Sequence, residues 1–562
     1  MLVNTQLRKT LLVSSARKYV TSKASSNTLK PSKNMEDILE ERSRKRRRLS
    51  NDQEPQSNHR KLPHSLTSSI SPPPLRRNQK SQSQTPQVMN SPFQLTWIRD
   101  LPESSNKDAI SLKDILGDPM ISECWEFNYL HNLDFLMDAF DPDVRDLVKV
   151  HVVHGFWKNE DPSRLNLKAQ AEKYSNITLH TAYMPEMFGT HHTKMLVLLR
   201  HDDTAQIIIH TANLIPFDWT NMTQAAWTSP LLPLLTAASL SKDTELGPMG
   251  SGTRFKVDFL NYLKAYDNNP KRVICKPLVE KLEKYDFSAI RGALVGSVPG
   301  RHHIEKDLET AWGWAGLKNV LSAIPVQTKD GEIVIQISSI ATLSEKWIDK
   351  TLFKTMSTSK NVSNSKAAFK IIFPTADEIR RSLNGYDSGS AIHTKIQSTA
   401  QAKQVQYLKP MLCHWAGDSD GHASGSVPIS DAGRKRAAPH IKTFIRFADA
   451  KKSSIDWMLV TSANLSKQAW GEAMNAGGDV RICSYELGVM VWPELFGEKA
   501  TMVPTFKTNM PAPEPGKEGE LVIGARMPYD LPLVSYGKND LPWCASSSYE
   551  ALDWKGESYR VE

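Results

Sequence analysis

The chain has 562 residues with 70 Lys and Arg against 61 Asp and Glu, a formal net charge of +9, which leaves room for roughly three to four domains of ~150 residues and leans toward an anionic partner. No apolar stretch approaches the ~20 residues of a spanning helix, which excludes a transmembrane protein. The five cysteines, Cys124, Cys275, Cys413, Cys483 and Cys544, are scattered and never at Cys-x-x-Cys spacing, which excludes a disulfide scaffold or zinc finger and fits a reducing compartment.

Residues 1–35 lack Asp and Glu but carry Arg8, Lys9, Arg17, Lys18, Lys23, Lys30 and Lys33, with Val3, Leu7 and Leu11 at helical spacing. That composition fits a mitochondrial transit peptide, or a disordered basic leader ahead of a second start at Met35. The run Arg42-Ser-Arg-Lys-Arg-Arg-Arg48 is of the nuclear-localisation type. From 50 to 91 the chain is Ser, Pro, Gln and Asn with few aromatics, too little apolar surface to offset its ordering entropy. Residues 1–91 are therefore expected to be a disordered tail with basic targeting segments.

From Phe93 the composition becomes globular. Strands are predicted at 148–153, 195–199, 206–209 and 333–337, and helices at 277–285 and 375–383. This alternation predicts an α/β fold. A Gly/Ser/Asp-rich stretch at 417–433 reads as a loop ending in Arg434-Lys-Arg436.

One internal repeat carries chemistry. The first copy reads His192-Thr-Lys194-Met-Leu-Val-Leu-Leu, then Ile207-Ile-Ile-His-Thr-Ala-Asn213-Leu, with Trp219 six residues past the Asn. The second reads His440-Ile-Lys442-Thr-Phe-Ile, then Trp457-Met-Leu-Val-Thr-Ser-Ala-Asn464-Leu, with Trp470 six past the Asn. In each copy a strand opening with His-x-Lys is expected to precede a strand ending in [Thr/Ser]-Ala-Asn-Leu, and period-2 alternation aims His and Lys at one spot. Two further His-x-Lys pairs, His59 with Lys61 and His393 with Lys395, lack the second strand and are decoys. Trp219 and Trp470 are read as core residues, and His191 and His210 beside the motif as structural.

Two His, two Lys and two Asn related by a pseudo-twofold make a site for an anion with charge on several oxygens. Lys and Asn stabilise the extra charge of a pentacovalent phosphoryl transition state. One imidazole can be neutral and nucleophilic while the other is protonated and acidic. A phosphohistidine route removes any need for a metal-activated water, and no cofactor is expected.

These residues resemble the phospholipase D superfamily, whose halves each bear His-x-Lys and, after four residues, an Asp. Leu199 and Phe447 stand where that Asp would be. With this departure, Gly189-Thr-His-His-Thr-Lys-Met195, Ser462-Ala-Asn-Leu-Ser-Lys467, Ser484-Tyr-Glu-Leu-Gly488, Gly296-Ser-Val-Pro-Gly-Arg301, Ser382-Leu-Asn-Gly-Tyr386 and Pro528-Tyr-Asp-Leu-Pro532 are similar to the tyrosyl-DNA phosphodiesterase 1 branch. The resemblance covers about 124–543. It implies two pseudo-symmetric α/β lobes, expected at 92–360 and 361–562, with the active site at their interface.

It also implies a monomeric nuclear DNA-repair hydrolase, of use in double-strand break repair and exonuclease-like end processing, that cleaves 3′-phosphotyrosyl bonds on single-stranded or nicked DNA without metal or membrane. A mitochondrial pool would follow from the basic leader. By resemblance, His192 is the nucleophile, His440 the general acid then base, and Lys194, Lys442, Asn213 and Asn464 the phosphate binders. Glu486 would orient His192, and Gln224 would orient His440. Phe188, Ser382 and Ser466 are candidate DNA contacts, and Trp543 lines the peptide side or belongs to the core. Phospholipid transphosphatidylation is disfavoured by the missing Asp and the lack of an obvious membrane-binding segment. The intact His and Lys pairs argue against an inactive nucleic-acid-binding relative.

Overall fold

A computed structural model describes residues 87–236, 246–269, 272–304, 309–363, 365–416, 429–513 and 519–561. The targeting segments, the pair His59 and Lys61, and most of the predicted 417–433 loop lie outside the described residues. The first strand among the described residues, Gln87–Met89, pairs in parallel with Leu521–Arg526. The expected tail boundary at 91 therefore falls inside the fold; Ser91 is itself buried, its hydroxyl accepting the N–H groups of Phe93 and Arg526 at 3.2 and 3.0 Å.

The predicted strands occur as Lys149–His154, Met195–Arg200, Thr204–His210 and Glu332–Gln336, and the helices as Lys276–Leu282 and the shorter Ala376–Arg380, capped by Thr375. They belong to two mixed sheets with the same topology. In the first, the spatial order is Ala225–Thr228, Thr204–His210, Met195–Arg200, Ile121–Phe127, Lys149–His154, Ile177–Thr181. In the second it is Glu486–Val491, Ile455–Thr461, Thr443–Phe447, Glu332–Gln336, Ala368–Ile372, Leu412–Cys413. In both, the first four strands are antiparallel neighbours and the last three run parallel.

The sheets do not divide at 360. Ala293–Ser297 pairs with Glu486–Val491, and Glu332–Gln336 lies between Thr443–Phe447 and Ala368–Ile372. The second sheet thus draws on chain well before 360, from Gln87–Met89 at its edge and from Ala293–Ser297 and Glu332–Gln336 further in, because its four-strand core needs a central strand that precedes the second His-x-Lys copy.

Alternation explains why these strands read as unbroken apolar runs. Met195, Val197 and Leu199 face a central core shared with Ile445, Val460 and Leu487 of the other sheet, while Leu196 and Leu198 face an outer core under the helices Leu133–Ala139 and Pro162–Ala171. A third core covers the far face of the second sheet and includes Ile333, Phe444 and Trp457. Both faces of 195–199 are buried, so no polar residue marks its period of two. Leu199 and Phe447 sit in the central core, 6% and 0% exposed. An ionised Asp there would be stranded without a partner. All five cysteines are free and buried. Among the described residues no helix is long and apolar enough to cross a membrane.

Candidate active site

Each His-x-Lys precedes its strand rather than opening it, because the chain there leaves its own sheet to pair with the opposite half. His191 bridges to Tyr485, and His192 N–H donates to Tyr485 O at 3.0 Å. Symmetrically, Pro439 bridges to Thr223, and His440 N–H donates to Thr223 O at 3.1 Å. Tyr485 and Thr223 immediately precede Glu486 and Gln224. Close approach explains Gly189: a Cβ there would lie 2.0 Å from Cys483 O.

The crossing hands each histidine a partner from the other half. His192 Nδ1 lies 2.8 Å from Glu486 Oε2, and His440 Nδ1 lies 2.9 Å from Gln224 Nε2. The [Thr/Ser] of each repeat completes the pattern. Thr211 Oγ1 donates to Gln224 Oε1 and accepts Ala225 N–H; Ser462 Oγ donates to Glu486 Oε2 and accepts Leu487 N–H. Both lysines are fully buried, and each Nζ donates to the carbonyl of its own histidine, Lys194 to His192 at 3.0 Å and Lys442 to His440.

The electrostatics follow from enclosure. Burial pushes Lys194 down to about 8 and Lys442 well below its ordinary range, with the Lys194 charge adding to the depression of Lys442. Burial also lowers both histidines, His440 to about 3, while Glu486 opposes the shift at His192. Burial would raise Glu486, but the His192 contact and the Ser462 hydroxyl outweigh it and keep it a carboxylate. An ionised Glu486 against Nδ1 assigns the proton to that nitrogen and leaves Nε2 of His192 as the lone-pair face.

The two asparagines are held differently. Asn464 Oδ1 accepts the N–H groups of Ser338 and Ser339 at 3.1 and 2.9 Å, which leaves its NH2 as the donor, and Trp470 Nε1 donates to Asn464 O at 3.0 Å. Asn213 instead gives its backbone N–H and Nδ2 to Asp218 Oδ2 at 2.6 and 3.0 Å. Asp218 was not singled out by sequence. The same oxygen lies 3.2 Å from both Gln224 Nε2 and His440 Nδ1, and the residue is 1% exposed. Burial raises it, but His440 and the Asn213 N–H hold it below the usual carboxylate range. Its counterpart five residues past Asn464 is Ala469, and that mismatch in an otherwise matched repeat is the signal that could have found it.

Other expected site residues separate. Phe188 is exposed, at 67%. Ser466 is half-buried and its hydroxyl caps the helix Lys467–Trp470. Ser382 is buried, its hydroxyl donating to Gly385 O and Ser388 Oγ at 3.1 and 2.8 Å, so it is not presented to DNA. Trp543 is fully buried, with Nε1 on the carbonyls of Gly389 and Ile392, and belongs to the core rather than to a peptide groove. His191 is locked between Asn128 O and Tyr266 Oη, and His210 is buried against Trp219. The decoy His393 bridges to Ser339, whose own N–H donates to Asn464 Oδ1.

A family model described as tyrosyl-DNA phosphodiesterase matches residues 92–537. A probable tyrosyl-DNA phosphodiesterase of Schizosaccharomyces pombe is 34% identical over 86% of this chain and 98% of its own length. Tyrosyl-DNA phosphodiesterase 1 of Arabidopsis thaliana is 30% identical over 83% of this chain and 76% of its own. The crystal structure of the yeast tyrosyl-DNA phosphodiesterase superposes with a TM-score of 0.57 at 21% identity, covering 80% of this chain and 98% of that one. With that match over most of its length, the chain belongs to the tyrosyl-DNA phosphodiesterase family.

Proposed function

We propose that this chain hydrolyses the ester between a tyrosine hydroxyl and the 3′-phosphate of single-stranded or nicked DNA, such as a stalled type IB topoisomerase leaves, with His192 carrying the phosphoryl group. The observation that supports this most is the crossed pairing of His192 with Glu486 and of His440 with Gln224 and Asp218. It gives the two imidazoles different jobs. His192, its Nδ1 proton held by Glu486, attacks phosphorus through Nε2 as the bond to the tyrosine oxygen breaks. The phenolate takes a proton from His440, and tyrosine leaves. Water then attacks phosphorus while His440 accepts its proton. The phosphorus–nitrogen bond breaks, and 3′-phosphate DNA departs with His192 restored.

His440 must be an imidazolium for the first step, although burial and Lys442 oppose that charge. The diester's own negative charge and the Asp218 carboxylate restore it. Lys194, Lys442 and the Asn464 amide meet the charge that grows on the nonbridging oxygens, and no resident metal is needed for that role. Phe188 offers a stacking surface for a base, and Ser466 a hydroxyl near the backbone. We assign the 42–48 basic run to nuclear import and a role in double-strand break repair, with the 1–35 segment available for a mitochondrial pool, and take the enzyme to act as a monomer.

The test is incubation of the protein with a labelled 3′-phosphotyrosyl oligonucleotide in excess chelator. Free tyrosine and a 3′-phosphate are expected. Loss of turnover that magnesium restores would overturn the mechanism.

A further inference from the structure

Away from the histidines, three parts of the chain meet in one corner: the segment 91–108, the end of the strand Leu521–Arg526, and the residues leading to His440. Two arginines are enclosed there. Arg434 and Arg526 are each 1% exposed. Nε and Nη2 of Arg434, and all three guanidinium nitrogens of Arg526, are buried without a hydrogen-bond partner. The sole side-chain bond of either, among the described residues, is a long one of 3.4 Å from Arg434 Nη1 to Asn106 Oδ1.

The nearby carboxylates are engaged elsewhere. Asp431 pairs with Lys507 at 2.6 Å and Asp530 with Lys435 at 3.2 Å. Asp108 accepts from the Thr508 hydroxyl and the Asn509 N–H, both at 2.8 Å. Arg446, the other arginine among the described residues that is 1% exposed, is built differently: its Nε meets Asp456 at 3.0 Å and its Nη2 donates to Thr328 O at 2.8 Å. This protein therefore does compensate an enclosed guanidinium when a carboxylate is at hand.

Burial lowers Arg434 to about 9, with the Arg526 charge adding to the shift, and lowers Arg526 to about 10 against the pull of Asp108. Both remain cations at neutral pH. Water could fill the orphaned N–H sites but would leave two like charges that repel one another in the interior. An anion answers both demands at once, with charge-assisted bonds to two guanidinium forks.

We propose that Arg434 and Arg526 form a buried site for one small inorganic anion, a halide or a compact oxyanion, that neutralises the pair. The bound anion joins elements distant in sequence. The backbone N–H of Arg526 donates to Ser91 Oγ, which ties the segment at Ser91 to the strand Leu521–Arg526. Ala437 N–H donates to Arg434 O at 2.9 Å, and Ala437 and Ala438 in turn accept from Thr223, the residue that also receives His440 N–H. Occupancy would thus set the footing of the segment that carries His440.

The experiment uses the full chain dialysed into potassium gluconate, a bulky carboxylate. Its Tm is followed as gluconate is replaced at constant ionic strength by chloride, bromide or sulfate. A Tm that rises with the logarithm of the anion concentration is expected, and the chloride and sulfate arms tell halide from oxyanion. The rise should vanish in the double variant R434M/R526M, which keeps the apolar stems and removes both charges. Should that variant fail to fold, crystals of the unaltered protein grown in bromide give a second reading, with an anomalous peak expected between the guanidinium groups. A Tm indifferent to the anion, or density for water alone at the five orphaned nitrogens, overturns the proposal.

Discussion

Asp218→Asn isolates the charge behind His440. All four contacts of Asp218 converge on Oδ2, so an Asn that places its amide oxygen there keeps the geometry and loses the charge. At 3.2 Å from Nδ1, a unit charge acting on an imidazolium through an effective dielectric of ~20 is worth about 5 kcal/mol, an upper bound. A hydrogen bond to a charged group contributes ~1.5–3 kcal/mol net. Taking ~2–3 kcal/mol, the variant should cleave a 3′-phosphotyrosyl oligonucleotide roughly 30- to 150-fold more slowly at neutral pH. The sign for pH is fixed. Asp218 is among the groups that raise His440, so its removal lowers that pKa, and the alkaline limb of kcat should move to lower pH. Leaving groups give the decisive comparison. Tyrosine, with a phenol pKa of ~10, needs the acid; a p-nitrophenyl ester needs it far less. Single-turnover rates on both substrates should show a large defect on tyrosine and a small one on p-nitrophenol. Equal defects, with the alkaline limb unmoved, would mean that Asp218 only holds Asn213 in place.

Breaking the phosphohistidine needs a base, so His440→Asn should accumulate a covalent protein–DNA adduct on denaturing gels while His192→Ala forms none; the reverse pattern would exchange the two roles. Lys194→Ala or Lys442→Ala should each cost on the order of 3 kcal/mol in kcat/KM, whereas Lys395→Ala should leave it nearly unchanged. His154, His191, His210 and His440 are held down to about 3, chiefly by burial. Each binds a proton on unfolding below pH ~6.5 that the folded state refuses until pH ~3, so stability should fall by ~1.4 kcal/mol per histidine per pH unit across that window. A Tm that stays flat from pH 6.5 to 5 would refute this. A chain beginning at residue 87 should keep the Tm of the full chain, whereas one beginning at 92 loses the strand Gln87–Met89 and the Ser91 hydroxyl and should melt several degrees lower.

The central strands and the two His-x-Lys copies were legible because burial on both faces writes a strand as an apolar run, and because chemistry repeated at matched spacing is hard to produce by chance. The partners of the histidines were less so. Glu486 and Gln224 came from resemblance, since no local pattern says that a residue some 220 to 290 positions away in the chain will face an imidazole. Asp218 was hidden by its own asymmetry, for a search built on the repeat passes over a position filled by Asp in one copy and Ala469 in the other. The division at 360 failed for a related reason. Glu332–Gln336 reads locally as one more strand of the first half, and only hydrogen bonding to Ala368–Ile372 and Thr443–Phe447 assigns it to the second sheet. Ser382 shows the opposite error, a residue expected at the DNA surface whose hydroxyl is used up within a buried turn.

The unequal pair behind the histidines also bears on substrate polarity. A phosphodiester has two esters, and a site with true twofold symmetry would accept it in either direction, attacking from the DNA side or from the peptide side with equal ease. Glu486 against Gln224, and Asp218 against Ala469, remove that equivalence while the two His-x-Lys pairs stay alike. Only one histidine has a lone carboxylate to make it basic, and only the other has both an amide and a carboxylate to tolerate either protonation state. Which strand end is kept and which adduct is expelled would then be written in four side chains behind the reacting atoms, and exchanging them between halves is the route by which such a scaffold could reverse the direction in which it reads its substrate.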